Sequence, residues 1–341
     1  MGGWHRLKQR ALALAQPLSA YLELTYRCNW RCVFCYNPRH FDRRGLGLPE
    51  WSEVLDDLRE LGTLSVTITG GEALAHPEFA EVARAARDRR FTLRLFTNGT
   101  LVTEELADVI ADLRPLAVEM SLHGERAETH EKATGAPGSF AAMFLGLERL
   151  QRRGVPLLLK TLVTSVNEHE LDGMIALAER RGVPHQLDAT VTPRDDGDTS
   201  PLRYRASAEA VARVYRRSAE KAPLPRADRE EGGVNCGLGR ITLAVDPEGE
   251  VFPCLQWRRS SLGNVRRARL RDLWRGSAVR EEAASVSVAA NEAMRVRGGA
   301  LAGFPFCPAL AAQHTGDPLQ PDEAHAMHAG IVARLRDERP A

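Results

Sequence analysis

The stretch SVTITGGEALAHPEFAEVARAARDRRFTLRLFT, residues 65–97, has the pattern that indicates the fold class most clearly. Its two ends are short runs rich in Val, Ile, Leu and Thr, and they predict β-strands over 65–70 and 91–97. Between them apolar residues recur at helical spacing and predict a helix over 77–89. A strand, a helix and a second strand in this order indicate a β-α-β unit with parallel strands.

The same alternation occupies residues 18–222 and gives six consecutive β-α units. Further strands are predicted over 20–26, 116–122, 156–164 and 185–192, and further helices over 49–62, 103–113, 138–153, 168–181 and 206–222. A closed barrel of this kind needs eight units. The pattern therefore predicts an α/β fold with a partial (β/α)6 barrel of the TIM type.

The pattern changes after residue 222. Residues 223–235 are charged and rich in Pro and Gly, which predicts a linker. Two alternating runs joined by PEG, over 240–246 and 250–254, predict a β-hairpin, and 268–275 a short helix. Residues 276–303 give no clear pattern. We predict the following organisation: an N-terminal helical extension 1–17, a barrel 18–222, a linker 223–235, a small hairpin-plus-helix domain 236–320 and a terminal helix 321–341.

The charge balance excludes several classes of partner. The chain has 341 residues, with 46 Lys and Arg against 45 Asp and Glu. Such a balance does not predict binding to nucleic acid or to an anionic membrane surface.

A secretory signal and an apolar run of membrane-spanning length are both absent from the sequence, so we predict a cytoplasmic protein. Clustered cysteines in the cytoplasm more often bind metal or catalyse than form disulfides.

Three cysteines, Cys28, Cys32 and Cys35, follow the first predicted strand with the spacing C-x3-C-x2-C. Structural zinc usually takes four protein ligands, whereas three thiolates suit a 4Fe–4S cube with one iron left open. In parallel β-α barrels the chemistry lies at the carboxyl ends of the strands, where this trio stands. Zinc binding and an inert place in the core are the alternatives for these thiols.

The motif CNWRCVFC resembles the signature of the radical S-adenosylmethionine superfamily, with Phe34 before the third cysteine. The motifs TGGEAL, FTNGT and MSLHG, after predicted strands two to four, match that family in order and placement. The resemblance implies a 4Fe–4S cluster at Cys28, Cys32 and Cys35, with S-adenosylmethionine chelated to its open iron. Reductive cleavage of this cofactor would yield a 5′-deoxyadenosyl radical that abstracts a substrate hydrogen.

The resemblance also assigns positions to the cofactor, namely Phe34, Gly70, Gly71, Glu72, Asn98, Ser121, Lys160 and Thr164. The two glycines would admit the methionine amino group to the backbone, and Glu72 would offer a carboxylate. Ser121 would reach the ribose, and Lys160 and Thr164 the methionine carboxylate or the ribose. The alternatives are turn capping for Asn98, and packing or solvated roles for the last three residues.

This sequence departs from the family pattern at two of these places. Ala73 stands where Pro usually follows the Gly-Gly-Glu motif, and Thr134 stands where an Arg is common. The missing Arg makes Lys160 the substitute candidate for the methionine carboxylate.

A second trio, Cys236, Cys254 and Cys307, brackets the predicted hairpin and follows it. The run CGLGRITLAVDPEGEVFPC, with LGNV and LRDLW after it, resembles the start of a SPASM or Twitch domain. Phe304 replaces the first cysteine of a usual C-x2-C pair, so the resemblance implies one auxiliary 4Fe–4S cluster on three thiolates. Its fourth iron site is open to substrate or filled by His314, Asp317 or Gln313. A zinc site, a structural remnant and a hydrogen-donating cysteine are the alternatives.

The resemblance favours maturation of a ribosomally made peptide, for instance by a crosslink or thioether. The alternatives are radical modification of a small molecule, such as dehydrogenation, epimerisation or a tetrapyrrole side-chain change, and a non-catalytic iron–sulfur electron carrier. The Gly-Gly-Glu motif argues against a carrier, which needs no methionine pocket. Candidate substrate residues at the barrel mouth are His123, Asp188 and Arg194. Expected partners are an electron donor such as flavodoxin or ferredoxin, and a separate peptide-recognition protein.

Overall fold

The structure is a computed structural model that describes residues 2–338. Nine strands form one sheet. The strands are β1 (Ser19–Glu23), β2 (Ser65–Thr69), β3 (Thr92–Thr97), β4 (Ala117–Ser121), β5 (Leu157–Leu162), β6 (His185–Asp188), β7 (Thr242–Val245), β8 (Glu250–Phe252) and β9 (Gly263–Asn264).

Thirteen α-helices cover the sheet or follow it within these residues. They are α1 (Gly3–Leu14), α2 (Leu48–Glu60), α3 (Phe79–Asp88), α4 (Glu104–Leu113), α5 (Ala127–Thr134), α6 (Ser139–Arg152), α7 (Leu171–Arg180), α8 (Ala208–Ala219), α9 (Leu270–Arg275), α10 (Ala278–Arg297), α11 (Gly299–Ala302), α12 (Pro308–Thr315) and α13 (Glu323–Asp337). Short 3₁₀ turns lie at Ala73–Ala75, Glu168–Glu170 and Ser200–Tyr204.

The first six strands are parallel and pair in chain order, which confirms the predicted β-α units. Strand β6 lies at one edge of the sheet and β9 at the other, so the sheet formed by the described residues is an open, partial barrel. The core lies between the sheet and its outer helices. Leu22, Ile68, Leu95, Met120 and Leu159 come from successive strands and are nearly or fully buried in it. The residues that alternate with them are more polar and face the inside, as the two-residue period of a strand requires.

The predicted hairpin forms from β7 and β8, which pair antiparallel, and β9 extends it. Strand β7 also pairs in parallel with β1, with Ala20 opposite Leu243 and Leu22 opposite Val245. The C-terminal part of the chain therefore continues the barrel sheet. The sequence analysis did not predict this pairing, because β1 and β7 are more than 200 residues apart and their patterns do not specify a partner.

Helices account for most of the stretches whose structure the sequence left open. Residues 276–303 form α10 and α11, and α12 starts directly after Cys307. The terminal helix α13 is capped by the Asp322 side chain, which accepts a hydrogen bond from His325 N at 2.8 Å. Residues 339–341 of the predicted terminal helix lie outside the described part. None of the helices within residues 2–338 has the length and apolarity needed to cross a membrane.

Candidate active site

The first cysteine trio lies on an irregular loop that leaves the carboxyl end of β1. The end of α5 fixes this loop through its carbonyl groups. Arg31 N donates to Thr134 O at 2.7 Å, and Val33 N donates to Ala133 O at 3.0 Å. Thr134, where the family often has Arg, is fully buried and hydrogen bonds Ser139 Oγ at 3.0 Å. Thr134 therefore supports the cysteine loop through its main-chain carbonyl group.

Main-chain donors and burial decide the chemistry of these thiols. Trp30 N lies 3.4 Å from Cys28 Sγ and donates to it. Burial raises the pKa of Cys28 to about 12, with Cys35 adding to the shift, and it raises the pKa of Cys32, to which both Cys35 and Cys28 add. Burial raises the pKa of Cys35 as well. Deprotonation in such a place needs a bound cation, which an iron–sulfur cluster supplies. Three neighbouring, part-exposed thiols on one loop therefore fit a cluster.

Gly70 and Gly71 lie directly against the backbone that leads into the cysteine loop. Gly71 N donates to Thr25 O at 2.7 Å, and Glu72 N donates to Arg27 O at 2.8 Å. A Cβ on Gly71 would lie 2.5 Å from the carbonyl oxygens of Tyr26 and Arg27. Gly70 has a φ of +132°, which side chains rarely tolerate. These glycines are therefore needed for the close packing of the backbone here. Their contact with methionine stays a prediction.

A substitution at Gly71 tests this close approach. We expect Gly71→Ala to lower the free energy of unfolding by about 2 kcal/mol or more, because backbone on both sides must move. The matched control is Gly330→Ala, since an added Cβ there meets nothing within 4 Å in helix α13. That variant should be neutral or more stable by up to about 1 kcal/mol. Equal melting temperatures for the two variants would contradict the argument.

Glu72 is 1% exposed, and its carboxylate is engaged within the chain. It accepts from Leu74 N at 3.0 Å, from Thr97 Oγ1 at 2.7 Å and from Asn98 N at 2.6 Å. The carboxylate therefore joins the ends of β2 and β3 below the cysteine loop. Burial raises its pKa, although these three donors act in the opposite direction. A direct role toward the cofactor remains a prediction.

Asn98 caps a turn, which is the alternative considered for it from the sequence. Its Oδ1 accepts from Thr100 N at 2.9 Å and from Thr100 Oγ1 at 2.6 Å. Its Nδ2 also donates to Asn29 Oδ1 at 2.7 Å, inside the cysteine loop. The FTNGT motif thus holds the loop between the first two cysteines.

Lys160 lies on the inner side of the barrel beside a buried carboxylate. Its Nζ is 3.1 Å from Glu119 Oε2 and 4.7 Å from the ring centre of Phe96. Glu119 is 5% exposed and also receives a hydrogen bond from Arg94 at 2.5 Å. Ser121 pairs with Lys160 in the sheet register and is partly exposed. These residues form a polar inner wall below the barrel mouth.

Thr164 does not belong to this polar inner wall of the barrel. It is fully buried, its main-chain N donates to Asn167 Oδ1 at 2.8 Å, and its hydroxyl lies 3.3 Å from the same oxygen. Its hydrogen bonds belong to the turn after β5, which gives it a local structural role. A contact between Thr164 and the cofactor is the least supported of the predicted ones.

Phe34 and His123 pack against each other beneath the cysteine loop, with ring centroids 4.8 Å apart. Trp30 and His130 complete this aromatic group, and all four rings are buried. Burial lowers the pKa of His123 to about 3, with His130 adding to the shift, so His123 is neutral. The Nδ1 atom of His123 has no hydrogen-bond partner among the described residues. His123 is thus a packed residue rather than a freely exposed one.

The other two predicted substrate residues lie at the end of β6, which is Asp188, and on the loop after it, which carries Arg194. Asp188 is exposed, and its Oδ1 accepts from Thr190 N at 2.8 Å. Arg194 forms an ion pair with Asp198 at 3.2 Å. The loop returns to the first cysteine group, because Asp195 N donates to Tyr36 O at 2.9 Å. The acidic loop TPRDDGD is therefore partly anchored rather than wholly solvated.

The second trio also comes together in space. Cys236, Cys254 and Cys307 pack around Leu238, Trp257, Ala283 and Ala309. Burial raises the pKa of Cys307 to about 12, with both other thiols adding to the shift, and it raises the pKa of Cys254 as well. Among residues 2–338 no three His, Cys, Asp or Glu side chains form a ligand group for a single metal ion.

The three candidate fourth ligands have different surroundings. Asp317 is exposed and caps a turn by accepting from Leu319 N. His314 Nδ1 is 2.7 Å from Asp322 Oδ2, and its Nε2 is buried without a partner in the described chain. Gln313 Nε2 donates to Gln256 O at 2.8 Å, on the loop that carries Cys254. Asp317 is therefore the least suited to a buried cluster.

One functional candidate, Arg258, was missed by sequence reasoning. Its side chain is 5% exposed and forms ion pairs with Glu23 at the end of β1 and with Asp195, the latter at 3.2 Å. Its guanidinium also lies 4.7 Å from the ring centre of Phe252. The only signal in the sequence was its position four residues after Cys254. Arg258 links the β1 end, the β6 loop and the hairpin.

Two family profiles match regions of the chain that contain cysteines of both trios. The profile of the Radical SAM superfamily matches residues 22–178, which include the first trio. The profile of the SPASM iron–sulfur cluster-binding domain matches residues 236–297, which include Cys236 and Cys254. Cys307 lies beyond the second match.

Individual relatives cover most of the chain. The AdoMet-dependent heme synthase of Methanosarcina barkeri is 27% identical over 298 residues, 79% of this chain and 85% of that protein. The PqqA peptide cyclase of Ruegeria pomeroyi is 26% identical over 259 residues, 71% and 69% of the two chains. The solved structure of anSMEcpe with bound AdoMet and Cp18Cys peptide superimposes with a TM-score of 0.71 at 16% identity, over 95% of this chain and 97% of that one. Because the sequence identity to anSMEcpe is low, this likeness concerns the fold alone.

Proposed function

Because the chain belongs to the radical S-adenosylmethionine superfamily and carries a C-terminal SPASM domain, we propose that it matures a ribosomally made peptide. It is an enzyme of the radical S-adenosylmethionine type with 4Fe–4S clusters. Cys28, Cys32 and Cys35 would hold the cluster, which together with S-adenosylmethionine would supply one-electron reductive cleavage and hydrogen-atom abstraction from the substrate. All other tasks fall to the residues of this chain.

One observation carries the choice of a peptide. A groove of about 290 Å³ runs between the loop after β6 and the loop that carries Cys254. Exposed residues Asp196, Gly197 and Arg259 line it, so the groove is open to a substrate from solvent. One wall is hydrogen bonded to Tyr36, next to the first trio. An open groove between two cluster sites suits a peptide, and a peptide cyclase is among the relatives of this chain.

The roles of the site residues are part of the proposal. Cys28, Cys32 and Cys35 hold the first cluster, and the loop is positioned by the main chain of α5 and of Gly71. Phe34 packs against His123 and so fixes the cysteine loop on the aromatic group. Ser121 and Lys160 on the inner wall contact the cofactor, with Glu119 orienting Lys160. Water is kept out by the packed group around His123.

The second trio holds the auxiliary cluster in this proposal. We expect Cys307→Ala to lower the iron content from about eight per chain, as for two cubes, to about four. The first trio is distant in sequence, so nucleoside formation from S-adenosylmethionine should persist while peptide modification is lost. Iron analysis and product chromatography after anaerobic reconstitution check both. Unchanged iron would favour a structural role or a zinc site for this trio.

The function itself is tested with the reconstituted, reduced protein and S-adenosylmethionine. We expect 5′-deoxyadenosine, together with loss of hydrogen atoms from the short peptide encoded beside the gene, detected by mass spectrometry. Nucleoside formed without any change in that peptide would overturn the peptide proposal. A protein with an intact first cluster that yields no nucleoside would instead be an electron carrier.

A small-molecule reaction is the second candidate, and two observations favour it. The heme synthase matches a larger share of this chain than the peptide cyclase does, 79% against 71%. A largely apolar cavity of about 310 Å³ also lies between the segment that follows β6 and helices α12 and α13, with His314, His325 and His328 in its lining. Titration with a tetrapyrrole, followed by its absorption spectrum, distinguishes the two functions. We expect no spectral shift from a peptide maturase.

The partners and the location follow from the same proposal. A one-electron donor of the flavodoxin or ferredoxin type would reduce the first cluster. A separate peptide-recognition protein would present the leader of the precursor. We propose a cytoplasmic location, where low-potential donors and reduced thiols are available.

A further inference from the structure

The groove between the two cysteine groups contains buried polar groups that the proposed chemistry does not use. Its walls come from the loop after β6, the loop after Cys254 and one face of α12. Arg194 and Asp195 stand on the first wall, Trp257 and Arg258 on the second, and Ala312 and Gln313 on the third. A groove built from three separate segments invites a ligand that touches all of them.

Arg258 provides hydrogen-bond donors on one wall. Its charge is balanced by Glu23 and Asp195, and its side chain is 95% buried. Even so, Nη1 has no hydrogen-bond partner in residues 2–338. The Nε atom lies 3.2 Å from Asp195 Oδ2 but does not form an aligned hydrogen bond. A buried donor without a partner is unfavourable, and a ligand acceptor would offset this cost.

Gln313 provides the matching acceptor on the facing wall. Its amide is fixed by the hydrogen bond from Nε2 to Gln256 O at 2.8 Å. Its Oε1 is buried and accepts no hydrogen bond from the described chain. The orientation of the amide therefore leaves an oxygen for an external N–H group.

The charge of the groove decides which chemical group fits. Arg258 is already paired with two carboxylates, and Arg194 is paired with Asp198. A further carboxylate would bring uncompensated negative charge to a buried site, which is costly. A neutral group with one acceptor and one donor meets Arg258 Nη1 and Gln313 Oε1, which no ion pair engages. The peptide group is such a group.

We propose that the groove binds the main chain of the substrate, with Arg258 Nη1 donating to a peptide carbonyl and Gln313 Oε1 accepting from a peptide N–H. This inference rests on the proposed peptide function and locates the binding site. Contacts to the main chain are independent of side chains, so recognition of particular residues must come from elsewhere. The same segment of peptide would lie between the loop of Cys35 and the loop of Cys254.

The test uses the reconstituted holoenzyme with S-adenosylmethionine and the blocked peptide acetyl-Gly-Ala-Gly-Ala-amide, which offers main-chain groups only. Hydrogen–deuterium exchange is followed by mass spectrometry across a peptide titration. We expect concentration-dependent protection of residues 254–259 and 309–313. Sodium acetate at the same concentrations should give none.

Two variants sharpen the result. Gln313→Leu should weaken protection at least about fivefold, because one hydrogen bond to the peptide is lost. The matched control is Gln320→Leu, an exposed glutamine beyond α12 that does not line the groove, and it should behave as the parent protein. Iron content and melting temperature establish that both variants are folded.

Three outcomes would overturn the inference. They are no protection by the blocked peptide, equal protection in Gln313→Leu, and protection by acetate as strong as that by the peptide. The last would identify an anion site. The experiment measures binding without turnover, so its failure is separate from the failure of the peptide-maturation assay.

Discussion

Single replacement of Cys28, Cys32 or Cys35 by alanine is expected to lower 5′-deoxyadenosine formation by more than about 100-fold. Even outer-shell changes at metal sites cost about 10–100-fold, and these residues are the proposed ligands themselves. The three thiols lie on one loop and are the proposed ligands of three irons, so the two that remain would hold the cube poorly. Iron content should fall by about four per chain, the content of one cube.

The measurement is chromatography of the nucleoside after anaerobic reconstitution and reduction. The control variant is Val33→Ala, in the same loop, where the main-chain bond to Ala133 O is retained. It should keep most of the iron and of the nucleoside formation. Parent-level nucleoside in any of the three cysteine variants would show that the replaced thiol is not a ligand of the catalytic cluster.

The second large effect concerns Glu72. Glu72→Ala leaves three donors, from Leu74, Thr97 and Asn98, unpaired at a site that is nearly inaccessible to solvent. We expect the free energy of unfolding to fall by about 3 kcal/mol or more. The melting temperature should fall by roughly 5–10 °C. Nucleoside formation should fall as well, because Asn98 holds Asn29 in the cysteine loop.

The matched control is Glu81→Ala, an exposed carboxylate on α3. Its effect on stability should stay within about 0.5 kcal/mol. Glu72→Gln retains one oxygen acceptor and should lie between the two. If Glu72→Ala melts like the parent protein yet fails to cleave the cofactor, the carboxylate acts on the cofactor and not on the scaffold.

The sequence predicted those parts of the fold that depend on local pattern. The six β-α units and the hairpin carry clear periodicities, and both are present in the structure. Helix α5 lacks such a signal. It has eight residues, too few to be stable alone, and it exists through contacts such as that between Arg31 and Thr134.

The site was predictable where chemistry lies in residue type and spacing. Six cysteines in two trios are visible in the sequence, and each trio comes together. The partners of buried charges were not visible, because they join distant parts of the chain. Glu23 and Arg258 are 235 positions apart, and neither position carries a local pattern that would indicate the ion pair. The same holds for Glu72, whose three donors became known only with the fold.

The parallel pairing of β7 with β1 limits how enzymes of this design can be recombined. A chimaera cut at residues 223–235 would exchange the strand that borders β1 along with the auxiliary cysteines. The foreign strand would have to match the register of Ser19 with Thr242 and of Leu22 with Val245. Exchanges that keep β7 and begin after Val245 would retain the native seam. A chimaera that exchanges the auxiliary region should therefore be joined within residues 236–297, which the SPASM profile matches, and not at the linker.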